Sequence, residues 1–441
     1  MTTDNTTSIP KDISDFYRPR IADRLLSEKL EAKGAVLIRG PKWCGKTTTG
    51  ERFANSIIYV DQPSLRSHIQ QLSKLDPSLL LDGPTPRLID EWQLAPALWD
   101  AVRFEVDHRR KRGQFILTGS AVPIDRNKED IRHTGAGRFA IIEMLPMSLL
   151  ESGESTGSVS LSELFDGNLK IKGESTHTLS DMAFLTCRGG WPFAIAESLN
   201  EKAALSQARD YLDIVTEEDI SRVDGVERNV ERARLILRSY ARFQGTQTPI
   251  SKIRQDIAVN DNDSITDDTI ASYLNALRQI YVVKDLEAWN PNIKSKAAIR
   301  TTPTRYFTDP SIATAALRVG PKDLINDLKA FGLIFETLCV RDLRVYASAI
   351  DGDVYHYRDS NGLECDVVMH LRNGKYGLIE IKLGGERLIE EGAGNLQKLK
   401  TLLDTQKMGE PSFMMILTAV GPYAYRREDG ICIVPIGCLK D

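Results

Sequence analysis

Gly40-Pro41-Lys42-Trp43-Cys44-Gly45-Lys46-Thr47-Thr48 carries the spacing G-x-x-x-x-G-K-[ST]. Such a loop curls backbone N–H groups around phosphate oxygens, and the helix after it adds its positive N-terminal end. Residues 40–48 would cradle the nucleotide, Lys46 would bring a point charge to the β/γ-phosphates, and Thr47 would offer its hydroxyl to Mg²⁺. The chemistry expected is binding and hydrolysis of ATP. A glycine-rich turn with a chance Lys-Thr is the alternative, and the order strand, loop, helix around it argues against that. Further along, Leu88-Ile89-Asp90-Glu91 ends an apolar run. Asp90 would hold the metal and Glu91 would polarise the attacking water, where a plain helix cap would need neither. Leu117-Thr118-Gly119-Ser120 ends the next apolar run. Ser120 is favoured as the hydroxyl that touches the γ-phosphate or the water, with Thr118 also eligible and backbone bonding the bland use of either. Arg138, in Gly135-Ala136-Gly137-Arg138-Phe139, reads as an arginine supplied to a neighbouring subunit's site or as a surface salt bridge. The run Arg109-Arg110-Lys111-Arg112 reads as a solvated loop.

A second group of chemical residues lies near the C-terminus. Cys365, Val367, Met369 and Leu371 alternate with Glu364, Asp366 and His370, and Ile379 and Ile381 alternate with Glu380 and Lys382. Period two puts the apolar set on one face of a hairpin and the acidic set on the other. A two-residue Asn373-Gly374 turn would mix the faces. A three-residue loop over 372–374 with Gly374 left-handed pairs 371 with 375 and 366 with 380, bringing Asp366, Glu380 and Lys382 together. This is the D…E-x-K arrangement of restriction-type nucleases, in which two carboxylates bind Mg²⁺ and the lysine activates water or neutralises phosphate charge. Glu336, on the preceding helix, would complete the metal site. A wet strand face lined with charge is the alternative.

The elements that position these groups follow from apolar periodicity. A helix over 23–30 and strands at 35–38, 57–60, 88–89, 115–117 and 141–142 alternate with helical segments, the pattern of a parallel sheet covered on both faces. Residues 152–180, rich in Gly, Ser and Thr, read as an insertion or linker. Residues 248–283 read helix, turn, helix, then Tyr281-Val282-Val283 and a Trp-Asn-Pro-Asn turn, which suggests a winged helix with Asp267–Ile280 as its recognition helix. A last α/β region has helices at 323–346 and 388–404 and strands at 354–358, 363–371, 376–383, 412–418 and 431–435. The fold class expected is α/β, in three domains: 1–197 with the phosphate loop, 198–320 helical with a winged helix, and 321–441 resembling a restriction endonuclease.

The 441 residues carry 57 Lys+Arg against 61 Asp+Glu, a net −4, with 41% apolar residues. That excludes wholesale disorder and a histone-like binder, but not a local basic face. Residues 225–305 hold 13 Lys+Arg against 9 Asp+Glu. Arg254, Arg278, Lys284, Lys294, Lys296 and Arg300 would line DNA phosphates there, unless the segment is only a structural lid. Six scattered cysteines without a C-x-x-C pair speak against a zinc cluster or disulfide framework. No run of 18 apolar residues occurs and the N-terminus lacks the order of a signal peptide, so no membrane span and a cytoplasmic location are expected.

Tyr17-Arg18-Pro19-Arg20, the phosphate loop, Leu88–Gln93, Leu117–Ser120, Gly135–Phe139 and Arg188-Gly189-Gly190-Trp191-Pro192 together resemble the AAA-type bacterial and archaeal ATPases that carry an uncharacterised C-terminal domain. The resemblance spans nearly the whole chain. It implies a nucleotide-binding domain, a winged-helix-like middle and a C-terminal domain of restriction-endonuclease type. Thr401 stands where exonuclease relatives carry a tyrosine. The expected function is an oligomeric, Mg²⁺-dependent ATPase working on DNA with a nuclease-like C-terminal domain. The alternative is an ATP-gated assembly switch whose C-terminal domain recognises a partner without cleaving.

Overall fold

The computed structural model describes residues 17–121, 135–196, 199–258, 265–290, 302–359, 362–403 and 405–441. The chain divides into two compact units. The first comprises Met1–Leu145 with Ser221–Val226 and Gln279–Tyr281, and the second Pro146–Ile220, Glu227–Arg278 and Val282–Asp441. The three-segment division expected from sequence ran differently, with 146–197 grouped with the phosphate loop.

Strands β1 (Ala35–Arg39), β2 (Ser56–Tyr59), β3 (Arg87–Asp90), β4 (Phe115–Gly119) and β5 (Phe139–Glu143) of the first unit form one sheet. Their order is β2-β3-β4-β1-β5 and every pairing is parallel. The strands read as unbroken apolar runs because both faces are covered. Successive residues of β1 serve opposite cores. Val36 and Ile38 pack with Ala22, Leu26 and Leu30 of helix α1 (Ile21–Ala32). Ala35 and Leu37 pack with Trp99, Val102 and Val106 of the helix Ala97–Arg109. Between β1 and β2 lies helix α2 (Lys46–Phe53), where Gly50 leaves room for Leu88: a Cβ there would sit 2.9 Å from Leu88 Cδ1.

In the second unit, strands β6 (Val159–Ser160), β7 (Gly173–Glu174), β8 (Gly352–Arg358), β9 (Glu364–Leu371), β10 (Tyr376–Lys382), β11 (Phe413–Thr418), β12 (Tyr423–Arg426), β13 (Cys432–Pro435) and β14 (Leu439–Lys440) build a mixed seven-stranded sheet, β7-β12-β13-β11-β10-β9-β8, and a small pair, β14-β6. The segment 152–180, expected to be an insertion or linker, is part of this architecture. β6 pairs with β14 and β7 with β12. Its hydroxyls are helix caps: the Ser160 side chain accepts from Glu163 N–H, and Thr178 from Asp181 N–H. Helices Val230–Arg242, Ile250–Ala258 and Asp267–Gln279 are followed by isolated antiparallel bridges, Val283↔Phe307 and Leu286↔Thr304. Pro291 and Asn292 of the expected turn lie outside the described residues, as do Lys294, Lys296 and Arg300.

The Gly-Gly-Trp turn is a buried joint. Gly190 N–H donates to Asp309 Oδ2 at 2.9 Å, and a Cβ on Gly190 would meet Met147 O at 2.2 Å. Arg341, fully buried, bonds Asp309 at 2.9 Å and Asp342 at 2.7 Å. All six cysteines are buried and unpaired. Among the described residues no helix is long and apolar enough to cross a membrane.

On β8, His356 is buried, with Nδ1 3.1 Å from Gln247 Nε2. Burial, helped by Arg358, lowers its pKa from 6.5 to about 4. The unfolded chain therefore binds the extra proton first. Stability from this group is complete above pH 6.5 and is lost as pH falls towards 4, by about 3 kcal/mol. His356→Gln should flatten that acid limb in urea denaturation series, whereas an unchanged limb would assign the acid sensitivity to other groups.

Candidate functional site

A parallel sheet collects the C-terminal ends of its strands along one edge, and three of those ends carry the candidate residues. The phosphate loop leaves β1 at Gly40 and enters α2 at Lys46. Its shape depends on glycine at both ends. Gly40 has φ +155°, with Met144 O only 2.0 Å from where a Cβ would be, and Gly45 has φ +101°. Lys46 is buried and its Nζ donates to Pro41 O at 2.7 Å, so the ammonium lies inside its own loop. Thr47 Oγ1 donates to Asp90 Oδ1 at 2.8 Å, which joins the start of α2 to the end of β3.

The end of β4 completes the group and gives each of its hydroxyls its own partner. Thr118 Oγ1 donates to Asp90 Oδ1 at 2.5 Å and accepts the Glu91 N–H at 3.1 Å. Ser120 Oγ donates to Glu91 Oε2 at 2.9 Å. Glu91 itself is left-handed, φ +54°, at the head of a short turn, Trp92–Leu94. Burial raises the Asp90 pKa to about 6, against the lowering effect of its two hydroxyl donors. A buried carboxylate beside a threonine hydroxyl, next to a loop built to receive phosphate, suits a divalent cation held with a nucleotide. Thr47 and Asp90 are the residues that would hold it.

One brace was not anticipated. Arg20 is buried, donating through Nη1 to Cys44 O and through Nη2 to Leu145 O, each at 2.8 Å. A single guanidinium thus ties the phosphate loop to the chain just after β5. The signal was present in Tyr17-Arg18-Pro19-Arg20, but nothing local in that motif names its partners.

Arg138 lies at the other edge of the sheet. Its carbonyl accepts the Ala35 N–H at 3.3 Å, level with the start of β1. The length of β1, at about 3.3 Å per residue, separates it from the loop on its own chain by roughly 16 Å. Its guanidinium forks onto Asp107 at 2.9 and 3.1 Å, so the surface salt bridge is the contact present. It borders a cleft of about 390 Å³ with Lys33, Arg110, Lys111 and Arg112.

The C-terminal carboxylates form a separate group. The hairpin has the expected register: Tyr376 pairs with His370 and Ile379 with Val367, and Gly374 has φ +88°. Continued by one residue, this sets Glu380 opposite Asp366. Lys382 Nζ lies 2.6 Å from Glu380 and 3.5 Å from Asp366, and Asp366 Oδ2 accepts the Ile381 N–H at 2.7 Å. Glu336 accepts a hydrogen bond from the Tyr306 hydroxyl. The face is partly covered, unlike the wet charged face weighed as the alternative: Glu380 is buried, Asp366, His370 and Lys382 are half-buried, and Glu364 is exposed. Val368 and Leu378 share it and pack under Ala393, Leu396 and Leu399 of the helix Glu386–Leu402. Only 1% of Glu380 is exposed. Burial and then Asp366 raise the Glu380 pKa to about 8 and hold Glu336 well above the carboxylate range. Burial disfavours the Lys382 charge, but Asp366 and Glu380 outweigh it and raise its pKa. Among the described residues no three or more His, Cys, Asp or Glu gather as a metal-binding group.

The middle segment's cations are largely matched. Arg234 pairs with Glu217 and Glu231, and Arg242 with Asp256. Arg254 pairs with Asp267, and Arg278 with Asp285.

Residues 32–152 match the family model described as an AAA domain. Residues 179–323 and 331–439 match two domains of unknown function, DUF8612 and DUF4143. With the parallel sheet and the loop geometry, the first match defines an AAA-type P-loop ATPase domain. The chain is 24% identical over 370 residues to the uncharacterized proteins Rv2008c of Mycobacterium tuberculosis and Mb2031c of Mycobacterium bovis, covering 82% of this chain and 73% of each relative. Among solved structures it is similar to the Walker-type ATPase PABY2304 of Pyrococcus abyssi, at 16% identity and a TM-score of 0.43, over 72% of this chain and 99% of that one. A RuvB variant of Thermotoga maritima shows 18% identity and a TM-score of 0.29, over 63% and 92%.

Arg20→Lys keeps the charge but loses the fork that reaches two carbonyls. Calorimetric titration should show ATP binding weakened about tenfold, equivalent to roughly 1.4 kcal/mol, with the fold retained. An unchanged dissociation constant would remove the brace from the site.

Proposed function

We propose that this chain is a Mg²⁺-dependent ATP hydrolase, active as a homo-oligomer, that couples turnover to work on DNA. The observation that carries the ATPase reading is the convergence of Thr47, Asp90, Glu91, Thr118 and Ser120 on one sheet edge through direct hydrogen bonds, beside Lys46 in its loop. Residues 40–48 receive the triphosphate on backbone N–H groups. Lys46 exchanges its bond to Pro41 for phosphate oxygens. Thr47 and Asp90 would hold Mg²⁺, which would supply neutralisation of the charge developing on the transferred phosphoryl group. Glu91 orients the attacking water and accepts its proton. The hydroxyls act one step back from the place expected of them. Thr118 fixes Asp90 and Ser120 fixes Glu91.

Arg138 is too far from its own loop to serve it, which supports action in a neighbour's site. Asp107 must then release the guanidinium. The DNA reading is supported by the helix order of residues 230–279, although carboxylates neutralise most of that segment's described arginines.

A second reading concerns the C-terminal domain. Asp366, Glu380 and Lys382 have the nuclease-like order, but Lys382 already pairs with both carboxylates under the helix Glu386–Leu402. That burial favours the assembly switch with a recognition module over a cleaving domain.

A mixing experiment tests the oligomeric ATPase. Lys46→Ala and Arg138→Ala should each lose ATP turnover, and their mixture should recover part of it at junctions pairing one intact loop with one intact arginine. Duplex or branched DNA should raise the wild-type rate. Full activity of Arg138→Ala alone would contradict the trans role, and a DNA-independent rate would favour the switch.

A further inference from the structure

Glu91 is the residue on which turnover rests in the reading above, and its carboxylate is not free to rotate. Its backbone is anchored by the bond to Thr118. One of its two oxygens, Oε2, accepts from Ser120 Oγ at 2.9 Å and also from Gln93 Nε2. The same amide nitrogen reaches Ser120 Oγ at 3.4 Å, so the three groups close a small ring. Gln93 comes to this place because it lies two residues beyond Glu91 in the turn Trp92–Leu94. Gly119 makes room for it: a Cβ there would approach Gln93 Oε1 and Trp92 Nε1 to 3.0 Å.

The other end of the amide says which function the ring uses. Gln93 Oε1 is buried without a hydrogen-bond partner. An amide held for packing would be expected to satisfy both ends. Here only the donor is engaged, and it is engaged on the carboxylate. Two donors on one oxygen leave Oε1 of Glu91 as the oxygen available to a water.

We infer that Gln93 is a positioning residue for ATP hydrolysis: with Ser120 it pins one oxygen of the Glu91 carboxylate so that the other faces the attacking water. The inference rests on Glu91 being the base. It gives Gln93, in the Asp90-Glu91-Trp92-Gln93 run, a role that acts through Glu91 and leaves nucleotide binding alone. Gln93→Glu is the sharpest variant, because it keeps the shape while turning the donor into an acceptor that repels Glu91. Gln93→Met removes the donor without adding charge.

The test is a double-mutant cycle with Glu91→Gln, reading single-turnover ATP hydrolysis, ATP affinity by calorimetry and the thermal midpoint. Gln93→Met should lower kcat about tenfold, and Gln93→Glu about a hundredfold, with ATP affinity and KM within twofold of wild type. Added to Glu91→Gln, Gln93→Met should cause no further loss, since the group it positions is already gone. Wild-type kcat in both Gln93 variants would overturn the inference while leaving Glu91 as the base. So would an equal extra loss in the Glu91→Gln background, or weakened ATP binding that accounts for the lower rate, because either marks a merely structural glutamine. If Glu91→Gln itself turns over at the wild-type rate, the base assignment fails and the positioning role falls with it.

Discussion

The parallel direction of five strands is the constraint from which the ATPase site follows. Because β1, β3 and β4 run the same way, Gly40, Asp90 and Gly119 must emerge on one edge, and the residues just past them can exchange hydrogen bonds. The same constraint sends Arg138, at the start of β5, to the opposite edge. A site built this way needs little from any single strand. It needs a loop that can bend, which Gly40 and Gly45 supply, and a brace that stops the loop from drifting, which Arg20 supplies. The bonds among Thr47, Asp90, Thr118, Glu91 and Ser120 then set carboxylates and hydroxyls in fixed relation before any nucleotide arrives, which is the preorganisation that electrostatic catalysis requires.

The second unit meets a different demand, that of buried charge. Arg341 is covered completely and is tolerated because Asp309 and Asp342 take up its guanidinium. Asp309 also receives the Gly190 N–H, so one carboxylate serves a backbone turn and an ion pair together. Asp366, Glu380 and Lys382 obey the same rule in a tighter space, where burial raises the Glu380 pKa to about 8 and lifts that of Glu336 well above the carboxylate range while Lys382 pairs with Glu380. The contrast with Asp90 is one of surroundings. Asp90 abuts a loop shaped for phosphate, whereas Glu380 lies beneath a helix. Similar carboxylates are thereby prepared for different uses.

Much of this was legible in the residues themselves. The phosphate loop is recognisable because its geometry depends on two glycines, Gly40 and Gly45, and a lysine at fixed spacing. The 366–380 hairpin was legible because period two and the length of a glycine-containing turn admit a single register that separates the faces. What escaped was information carried by distant chain. Arg20 finds Cys44 and Leu145, and no feature of the N-terminal motif specifies either carbonyl. The cover over the acidic strand face was not foreseen because the helix Glu386–Leu402 comes from further along the sequence, and Val368 and Leu378 were the clue within the strands. Residues 152–180 looked like an insertion or linker because Ser and Thr serve loops and helix caps equally well. Thr118 and Ser120 could not be told apart until each had a carboxylate beside it.

The claim at the centre is that Glu91 performs the chemical step in a site otherwise complete without it. The most direct measurement is the fate of ATP on Glu91→Gln: radiolabelled nucleotide retained per chain and its conversion to ADP, followed together with magnesium present. The account predicts stoichiometric retention of unhydrolysed ATP at wild-type affinity, with conversion slowed at least a hundredfold. Conversion at the wild-type rate would contradict it.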